Sequence, residues 1–339
     1  MNNILLTCYY ADGWTGSFIH ILELAEYFKS KNYEVYIGAI RIDSNIQKNI
    51  QNKGISLLNI SDIDINIVYD IVWFVHYPTV NILIEKGLKY KKVLFNCLSS
   101  FHNLELPASI FDNQGYIVCN SEETLNKLIK LGYNKLLMLP NLLPNKFIDK
   151  KLKSEFLNKI TIISNRPCKE LDEVSNILQD KYKIQIEKYG FIYNNYKRIT
   201  PEIIKNTDLV ITIGKTVQYC LGMSVPVFIY GPHGGNGYIN DIIFDEYYNF
   251  SGRPYSKKTV KELEKMIIND YNSNLSNISF YNDYIINVNN MDINISNILK
   301  SISLEQLIID KNKNYYKEIV TSEYILNLEW LNAQNRKIQ

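Results

Sequence analysis

The chain has 339 residues, which at roughly 150 residues per domain predicts two domains. Hydrophobic residues make up 46% of it and charged residues 21%, which excludes a disordered or low-complexity protein. Lys and Arg number 37 and Asp and Glu number 35, so the net charge of +2 provides no overall basic field for nucleic acid.

No apolar run reaches the roughly 18 residues that a transmembrane helix needs. The residues after Met1 start a strand and do not have the basic and apolar pattern of a signal peptide. We therefore expect a soluble, cytoplasmic protein. The five cysteines show neither CxxC nor Cys/His spacing, so we expect no disulfide and no structural zinc.

Apolar runs alternate with stretches of helical periodicity through the first 140 residues. A turn with Gly13 and Gly16 follows the first run, and Asn120 or Ser121 caps a later helix that ends at Gly132. Strands alternating with helices predict a parallel, doubly wound α/β sheet. The predicted strands are 4–10, 33–40, 55–60, 71–75, 93–97, 116–119 and 135–139.

The segment PNLLPNKFIDKKLKSEF interrupts this alternation as a linker does. We therefore expect a first Rossmann-like domain over 1–148 and a second over 149–303. The second half repeats the pattern, then reads as a helix from about Ser256, an Asn-rich irregular region to about Asn297, and a C-terminal helical segment over 304–339. Its predicted strands are 160–164, 184–189, 208–213 and 226–230.

Ligands of open α/β sheets bind beyond the carboxyl ends of the strands, so the turns there are the places to search. In DLVITIGKT a strand ends at Gly214, and a helix begins with Lys215 and Thr216. Unpaired amides and a lysine at a helix start form a phosphate site. A P-loop is excluded because Leu209 stands where its first glycine belongs. The alternative is a tight turn beside a solvated lysine.

Two further turns of the second half carry candidate ligand groups. GPHGGNGY includes Gly234 and Gly235, whose amides we expect to approach a ligand; a mobile surface loop is the alternative. SNRPCKEL offers Arg166 and Lys169 as cations for a diphosphate, although exposed basic residues at a strand end are often only solvated.

The first half offers two histidines at strand ends, His76 and His102, which can orient or deprotonate a substrate hydroxyl or serve only the fold. The turn with Gly13 and Gly16 lacks GxGxxG spacing, which argues against a dehydrogenase. HExxH and GxSxG are absent as well. We expect no metal site and no cofactor.

The order of these motifs resembles a GT-B glycosyltransferase, most similar to nucleotide-sugar-dependent family 4. ADGWTGSFIHILELAEYFKSKNYEV and VCNSEETLNKLIKLGYNKLLMLPN resemble segments of the N-terminal domain. SNRPCKEL resembles the stretch whose Arg and Lys hold the donor diphosphate, and GKTVQYCLGMSVPV with HGGNGY resembles the donor-binding helix, its following strand and a glycine pair.

The resemblance implies two Rossmann-like domains facing a cleft, with C-terminal helices. It assigns Arg166, Lys169, His76 and His102 to catalysis. It assigns a further set of residues to the donor: Gly214, Lys215, Thr216, Gln218, Gly234, Gly235, Gly13 and Gly16. The family's two glutamates would fall at Ile211 and Tyr219, so this chain lacks both, and the resemblance leaves the ribose contact to Gln218 or to another residue.

The function that follows is metal-independent transfer from a nucleotide diphosphate sugar to a glycan or lipid-linked glycan in bacterial surface polysaccharide synthesis. A retaining outcome is implied by the family but not by these residues. This function is compatible with peripheral contact between the protein and the cytoplasmic face of the inner membrane. The alternatives are a non-catalytic GT-B subunit of a glycan-assembly complex, which the missing glutamates favour, and a nucleotide-sugar epimerase.

Overall fold

The computed structural model describes residues 2–112, 114–150, 155–239, 250 and 256–302. The described residues form two compact units, one of residues 2–139 with 296–302 and the other within 140–295. The chain passes between them after Leu139, earlier than the expected boundary at 148. The helical segment expected over 304–339 lies outside the described residues.

The first unit is built on a parallel sheet of seven strands in the order β3-β2-β1-β4-β5-β6-β7. The predicted doubly wound α/β pattern is therefore confirmed. Nearly continuous runs of buried side chains, which include Leu5, Val72 and Phe95, explain why these segments form central strands. The strands are β1 (Asn3–Ala11), β2 (Glu34–Ile42), β3 (Ser56–Asn59), β4 (Val68–Phe74), β5 (Lys89–Cys97), β6 (Tyr116–Cys119) and β7 (Leu136–Met138).

The helices of this unit begin where capping side chains permit them to. Thr15 accepts the Phe18 amide at the start of α1, and Ser121 accepts the Thr124 amide at the start of α4. Both caps supply a partner to an amide that lacks one within the helix. The helices are α1 (Gly16–Ser30), α2 (Ser44–Gln51), α3 (Tyr77–Glu85) and α4 (Glu122–Lys130).

The later unit is built on a five-stranded sheet in the order β12-β11-β10-β8-β9. Strands β8 to β11 pair in parallel, and β12 pairs with β11 in antiparallel fashion. The carboxyl ends of four strands therefore meet at one edge. The strands are β8 (Lys159–Ile163), β9 (Gln185–Tyr189), β10 (Leu209–Thr212), β11 (Val227–Gly231) and β12 (Gly234–Tyr238).

Strand β12 corrects the interpretation of GPHGGNGY as a ligand-cradling or mobile loop. A Cβ on Gly234 would lie 2.4 Å from the Ser256 carbonyl oxygen, and one on Gly235 would lie 2.1 Å from the Ile229 oxygen. The Gly235 amide donates to Ser256. These glycines are needed because neighbouring backbone lies where a side chain would be. The Gly235 amide is therefore part of the sheet edge, not a group held open for a ligand.

Helices fill the region expected to be Asn-rich and irregular, so that expectation was wrong. Ile278, Tyr281 and Ile285 recur at helical spacing and are buried in the core. The amide of Asn282 donates to the carbonyls of Leu221 and Gly222 at 2.8 Å, which satisfies this buried polar group. The remaining helices are α5 (Lys169–Tyr182), α6 (Pro201–Lys205), α7 (Lys215–Gly222), α8 (Val260–Asn269), α9 (Tyr271–Val288) and α10 (Met291–Ser301).

The first part of the expected linker belongs to the core of the later unit. Leu143 and Phe147 are each 1% exposed. The ring of Phe147 stacks on Tyr219 with centroids 4.0 Å apart and planes at 5°. The Leu143 amide donates to the Asn289 carbonyl. The prolines and lysines of this part of the segment therefore mark the point where the chain enters the later unit. They do not mark a free linker.

Within the described part of the chain, no helix is long and apolar enough to cross a membrane. The same residues contain no cluster of three His, Cys, Asp or Glu that could hold a metal ion. All five cysteines are buried, and none of them forms a disulfide.

Candidate functional site

The carboxyl edge of the later sheet brings Arg166 to His233. Arg166 lies in the turn after β8, and His233 lies in the turn between β11 and β12. Nη1 of Arg166 and Nε2 of His233 are 3.5 Å apart, and both residues are exposed. Because a guanidinium only donates, Nε2 of His233 is the acceptor in this contact. The pair presents donors to solvent at the edge where ligands of such sheets bind.

The turn that carries Arg166 is fixed by short contacts. The Arg166 amide donates to Oγ of Ser164, and that hydroxyl donates to the Arg166 carbonyl at 2.9 Å. Sγ of Cys168 donates to the Gly231 carbonyl at 3.4 Å, which links this turn to the end of β11. The position of the guanidinium therefore depends on the sheet as well as on its own rotamer.

The end of β9 closes on the same turn because residue 190 is glycine. A Cβ there would lie 1.8 Å from the Ser164 carbonyl oxygen, and φ is +141°. The following amide, of Phe191, donates to Oδ1 of Asn165 at 3.2 Å. The ring of Phe191 remains 50% exposed. Sequence reasoning missed both His233 and Phe191, whose signal is only their position one or two residues after a strand.

Lys169, predicted to hold the diphosphate beside Arg166, begins α5. Its side chain is 87% exposed, and Nζ lies 3.6 Å from the Glu173 carboxylate one turn along the helix. Such exposed pairs contribute little free energy, and the lysine can be redirected at small cost. In the structure, Lys169 forms an ion pair with Glu173 of its own helix, and the described contacts do not include one between Lys169 and Arg166.

Gly214 was expected to offer an unpaired amide, and here the structure differs. Its amide donates to the Phe250 carbonyl. Its φ of +68° explains the glycine, since a side chain would be strained there. Helix α7 has no side-chain cap, and Lys215 and Thr216 form the start of its first turn. Lys215 and Thr216 are half-buried at this start of α7.

Three positions around α7 lie inside the unit. Ile211 is 1% exposed and Tyr219 is 3% exposed, and both belong to the hydrophobic core. Gln218, expected to contact a ribose, is 1% exposed, so its side chain lies in the interior instead of at the surface. Among the described residues its Oε1 has no hydrogen-bond partner. The face of a short helix that is buried depends on packing, which the sequence pattern did not resolve.

In the first unit, His76 lies at the carboxyl end of β4 and is 1% exposed. The Tyr9 amide donates to its Nδ1 at 2.9 Å, which places the proton of the neutral ring on Nε2. Burial, with a smaller contribution from His102, lowers the pKa of His76 to about 3. A buried, neutral imidazole whose acceptor nitrogen is already bonded is poorly suited to deprotonate a substrate.

Nε2 of His76 faces a carboxyl that sequence reasoning missed. It lies 3.8 Å from Oε1 of Glu105, in the 3₁₀ turn Asn103–Glu105 after β5. Burial raises the pKa of Glu105 to about 8. Its side chain is 13% exposed against 2% for His76, so Glu105 is the member of the pair that reaches the surface. His102 is half-buried and precedes this turn as its cap residue.

The end of β1 completes this edge of the first unit. Asp12 pairs with Nε of Arg41 at 3.1 Å, and the guanidinium lies 5.7 Å from the centre of the Tyr10 ring. Gly13 is buried in the bend before α1, and Gly16 is the exposed first residue of that helix. Both glycines thus belong to the first unit, whereas the turns of Arg166 and His233 belong to the later unit.

Comparison with solved structures identifies the fold. A glycosyltransferase from Rickettsia africae ESF-5 aligns with a TM-score of 0.60 at 13% identity, covering 94% of this chain and 98% of that one. A mutant of S. aureus TarM, crystallised with Fondaparinux, alpha-GlcNAc-glycerol and UDP, aligns with a TM-score of 0.60 at 10% identity, covering 89% and 99%. The two α/β units have the GT-B fold of such glycosyltransferases.

At the level of sequence, no family model matches the chain, and no curated protein matches it. The likeness is therefore one of architecture. It supports the predicted GT-B fold and leaves membership of family 4 a prediction.

Proposed function

We propose that the chain is a glycosyltransferase that moves a sugar from a nucleoside diphosphate sugar to a glycan or lipid-linked glycan. The observation that carries the proposal is the contact of Arg166 with His233 at the carboxyl edge of a GT-B unit. Exposed nitrogen donors fixed at this edge suit the charge of a diphosphate. The S. aureus TarM structure contains UDP, which is consistent with a nucleotide donor here.

The chemistry needs stabilisation of a leaving diphosphate. When the bond between sugar and phosphate breaks, negative charge develops on the phosphate oxygens. Arg166 and His233 would donate to that charge, together with the first-turn amides of Lys215 and Thr216. Lys169 is close to Arg166 in the sequence. It would contact the phosphates only after leaving its pair with Glu173. In this proposal no metal ion is required.

We assign binding of the acceptor to the first unit, where His76 and Glu105 lie at the sheet edge. We propose surface polysaccharide assembly as the setting, because the acceptor class of such enzymes is a glycan or glycolipid. Ile211 and Tyr219 stand where the resembling family has glutamates, and both are core residues. A retaining mechanism that depends on those carboxylates is therefore not proposed.

The test is turnover of UDP-glucose, UDP-galactose, UDP-N-acetylglucosamine and GDP-mannose, with octyl glucoside or water as acceptor, in EDTA. We expect transfer or hydrolysis of at least one donor. Arg166→Ala should lower it by about 10²-fold, the typical cost of losing one transition-state donor. Strict dependence on added Mn²⁺ or Mg²⁺ would contradict the metal-free assignment. Epimerisation of a donor without any acceptor would contradict transfer.

A second candidate function is a non-catalytic subunit that binds a nucleotide. The burial of Ile211 and Tyr219 favours it, because no carboxylate can act from either position. Calorimetry with UDP separates the two: binding without turnover of any donor supports the subunit. Absence of both binding and turnover rejects both functions.

A further inference from the structure

The side chain of Glu105 lies largely out of water and makes no short hydrogen bond among the described residues. It is 13% exposed, and its described polar contact is Nε2 of His76 at 3.8 Å. By contrast, the carboxylate of Asp70 on β4 accepts from the Asn3 amide at 2.8 Å and from Nζ of Lys91 at 2.6 Å. Without such donors a buried carboxylate costs more free energy than a buried neutral carboxyl. The surroundings of Glu105 therefore favour its protonated form.

The 99–106 segment, which carries this carboxyl, is flanked by two residues that are bonded to neighbouring elements. Nδ2 of Asn120 donates to the Leu98 carbonyl at 2.7 Å. The hydroxyl of Tyr133 donates to the Pro107 carbonyl at 3.1 Å. These two hydrogen bonds can persist while the backbone between them changes position. The segment can therefore move as a loop with fixed ends.

Two polar groups of this segment do not oppose such a movement. The Glu105 amide donates to the His102 carbonyl at 2.9 Å, and this local hydrogen bond can move with the segment. Ser100 is 2% exposed, and its hydroxyl has no hydrogen-bond partner in the described part of the chain. Water supplies that partner once the segment opens. Neither group therefore holds the segment closed.

Burial of Leu104 opposes opening of the segment. Leu104 is 1% exposed, and moving it into water costs free energy in proportion to its apolar area. The ring of Phe101 is 58% exposed and contributes less, with Nζ of Lys127 on α4 lying 4.8 Å from its centre. When Glu105 ionises, the closed position also carries the cost of a desolvated carboxylate, which the open position does not. The ionisation of Glu105 therefore shifts the balance toward the open position.

We propose that the 99–106 segment is a pH-sensitive cover over His76, which is closed while Glu105 is protonated and opens when Glu105 ionises. Nε2 of His76 faces the Glu105 carboxyl, and the His76 side chain is 2% exposed in the closed position. Opening exposes this nitrogen, together with the Ser100 hydroxyl, to water or to a ligand. The cover lies within the first unit, and its opening is independent of any sugar transfer.

The direction of the pH dependence follows from the carboxyl itself. Burial raises the pKa of Glu105 to about 8, above its ordinary value of 4.5. The closed position is therefore fully favoured below about pH 4.5, and this contribution is lost as the pH rises toward 8. Because opening releases one proton, each pH unit in this range shifts the equilibrium up to about tenfold toward the open position.

The neighbouring groups on α3, β5 and β6 stay neutral between pH 6 and pH 8 in the closed position. Burial, with a smaller contribution from His102, lowers the pKa of His76 to about 3. Burial also raises the pKa of Cys119 to about 12 and raises the pKa of Cys97 well above its usual range. His102 lies in the segment itself and Lys127 lies on α4, and substitution of His102 separates its contribution.

Acylation of histidine by diethyl pyrocarbonate, mapped by mass spectrometry on the full chain, measures whether His76 is covered. The reagent attacks the neutral imidazole, so the rate at His76, corrected for hydrolysis of the reagent, follows the open fraction. We expect that rate to rise at least about tenfold from pH 6 to pH 8. His20 of α1, which is 3% exposed, should stay unmodified at both pH values, which shows that the first unit remains folded.

Three variants identify the titrating group. In Glu105→Gln the rate at His76 should stay low and change less than about twofold over this range. Glu85→Gln, which removes an exposed carboxylate at the end of α3, and His102→Gln should both keep the wild-type rise. Hydrogen exchange of the wild type is a second measurement. After correction for the intrinsic rates, the 99–106 amides should exchange faster at pH 8 than at pH 6, and those of β5 should not.

A wild-type rate at His76 that does not change between pH 6 and pH 8 overturns the proposal. So does a rise that persists in E105Q, or modification of His20 in step with His76, which indicates opening of the whole unit. If E105Q does not fold, the hydrogen exchange of the wild type decides, and equal protection of the 99–106 amides at both pH values overturns the proposal. Each of these results leaves the proposed function standing, because none of them measures sugar transfer.

Discussion

Nη1 of Arg166 lies 3.5 Å from Nε2 of His233, which joins two turns that are 67 residues apart in the chain. The intervening strand β10 separates β8 from β11 in the sheet, so the two side chains reach toward each other over its end. A phosphate bound there would receive donors from both turns. This pair is the feature of the proposed donor site that mutation can test most directly.

Arg166→Ala should weaken UDP binding by about 10- to 100-fold. A hydrogen bond to a charged group contributes about 1.5–3 kcal/mol, and 1.4 kcal/mol corresponds to tenfold in affinity. Isothermal titration calorimetry measures the change. Lys181→Ala, at the other end of α5 and paired with Glu264, is the control and should bind UDP as the wild type does. Equal affinities of R166A and K181A would remove Arg166 from the site.

Lys169→Ala should weaken UDP binding less than Arg166→Ala does. The Lys169 side chain is 87% exposed and paired with Glu173, so part of any phosphate contact is offset by the lost pair and by side-chain entropy. Titrations at low and high salt measure both variants. A larger loss for K169A than for R166A would show that the lysine leaves Glu173 and carries the diphosphate.

Gly190→Ala should destabilise the protein by more than about 1 kcal/mol, because the new Cβ meets the Ser164 carbonyl at 1.8 Å and φ is +141°. Urea denaturation measures the free energy of unfolding. Gly16→Ala is the matched control, since nothing lies within 4 Å of its Cβ position and Gly16 begins a helix. That variant should be unchanged or more stable by up to about 1 kcal/mol. Similar stability of both variants would contradict the close approach of β9 to β8.

Tyr219→Glu should lower stability and should not increase activity. The side chain stacks on Phe147 in the core, where a carboxylate is desolvated and loses the ring contact. Tyr219→Phe keeps the stack and should cost less than about 1.5 kcal/mol. Thermal unfolding and turnover are the two measurements. A stable and more active Y219E protein would show that position 219 faces a ligand.

His76 and Glu105 should give the stability opposite pH dependences. The folded pKa of His76, about 3, lies below its ordinary value of 6.5, so its contribution is full above about 6.5 and is lost as the pH falls toward 3. The folded pKa of Glu105, about 8, lies above 4.5, so its contribution is full below about 4.5 and is lost as the pH rises toward 8. His76→Asn should flatten the acid limb, and Glu105→Gln the limb from 4.5 to 8. Urea unfolding at four pH values measures the slopes, and wild-type slopes in both variants would contradict the burial of the pair.

The strands were predictable because their apolar runs are short, bounded by turn residues and spaced by helices. Helix α9 was not predictable, because asparagine is a weak helix former. The burial of Asn282 against carbonyls such as that of Leu221 is a tertiary effect. Strand β12 was missed for a similar reason. Gly234 and Gly235 allow close packing of backbone segments, and a run of glycines in the sequence does not indicate that packing.

For the candidate site, the sequence predicted the positions of the turns better than it predicted which way individual side chains face. Arg166 lies at the edge as predicted by strand order, whereas Gln218 faces inward and the Gly214 amide is already bonded. Glu105 was overlooked because nothing in LSSFHNLE signals that the carboxyl would be buried beside His76. Which face of a short element is covered depends on contacts distant in the chain.

The stacking of Phe147 on Tyr219 also determines where the gene can be cut to express the later half by itself. A fragment starting at residue 149 would omit Leu143 and Phe147, leaving an apolar gap against α7 and removing the amide that donates to the Asn289 carbonyl. A fragment starting at Pro140 keeps these residues. The second fragment is therefore the one expected to be recovered as folded material from a bacterial host.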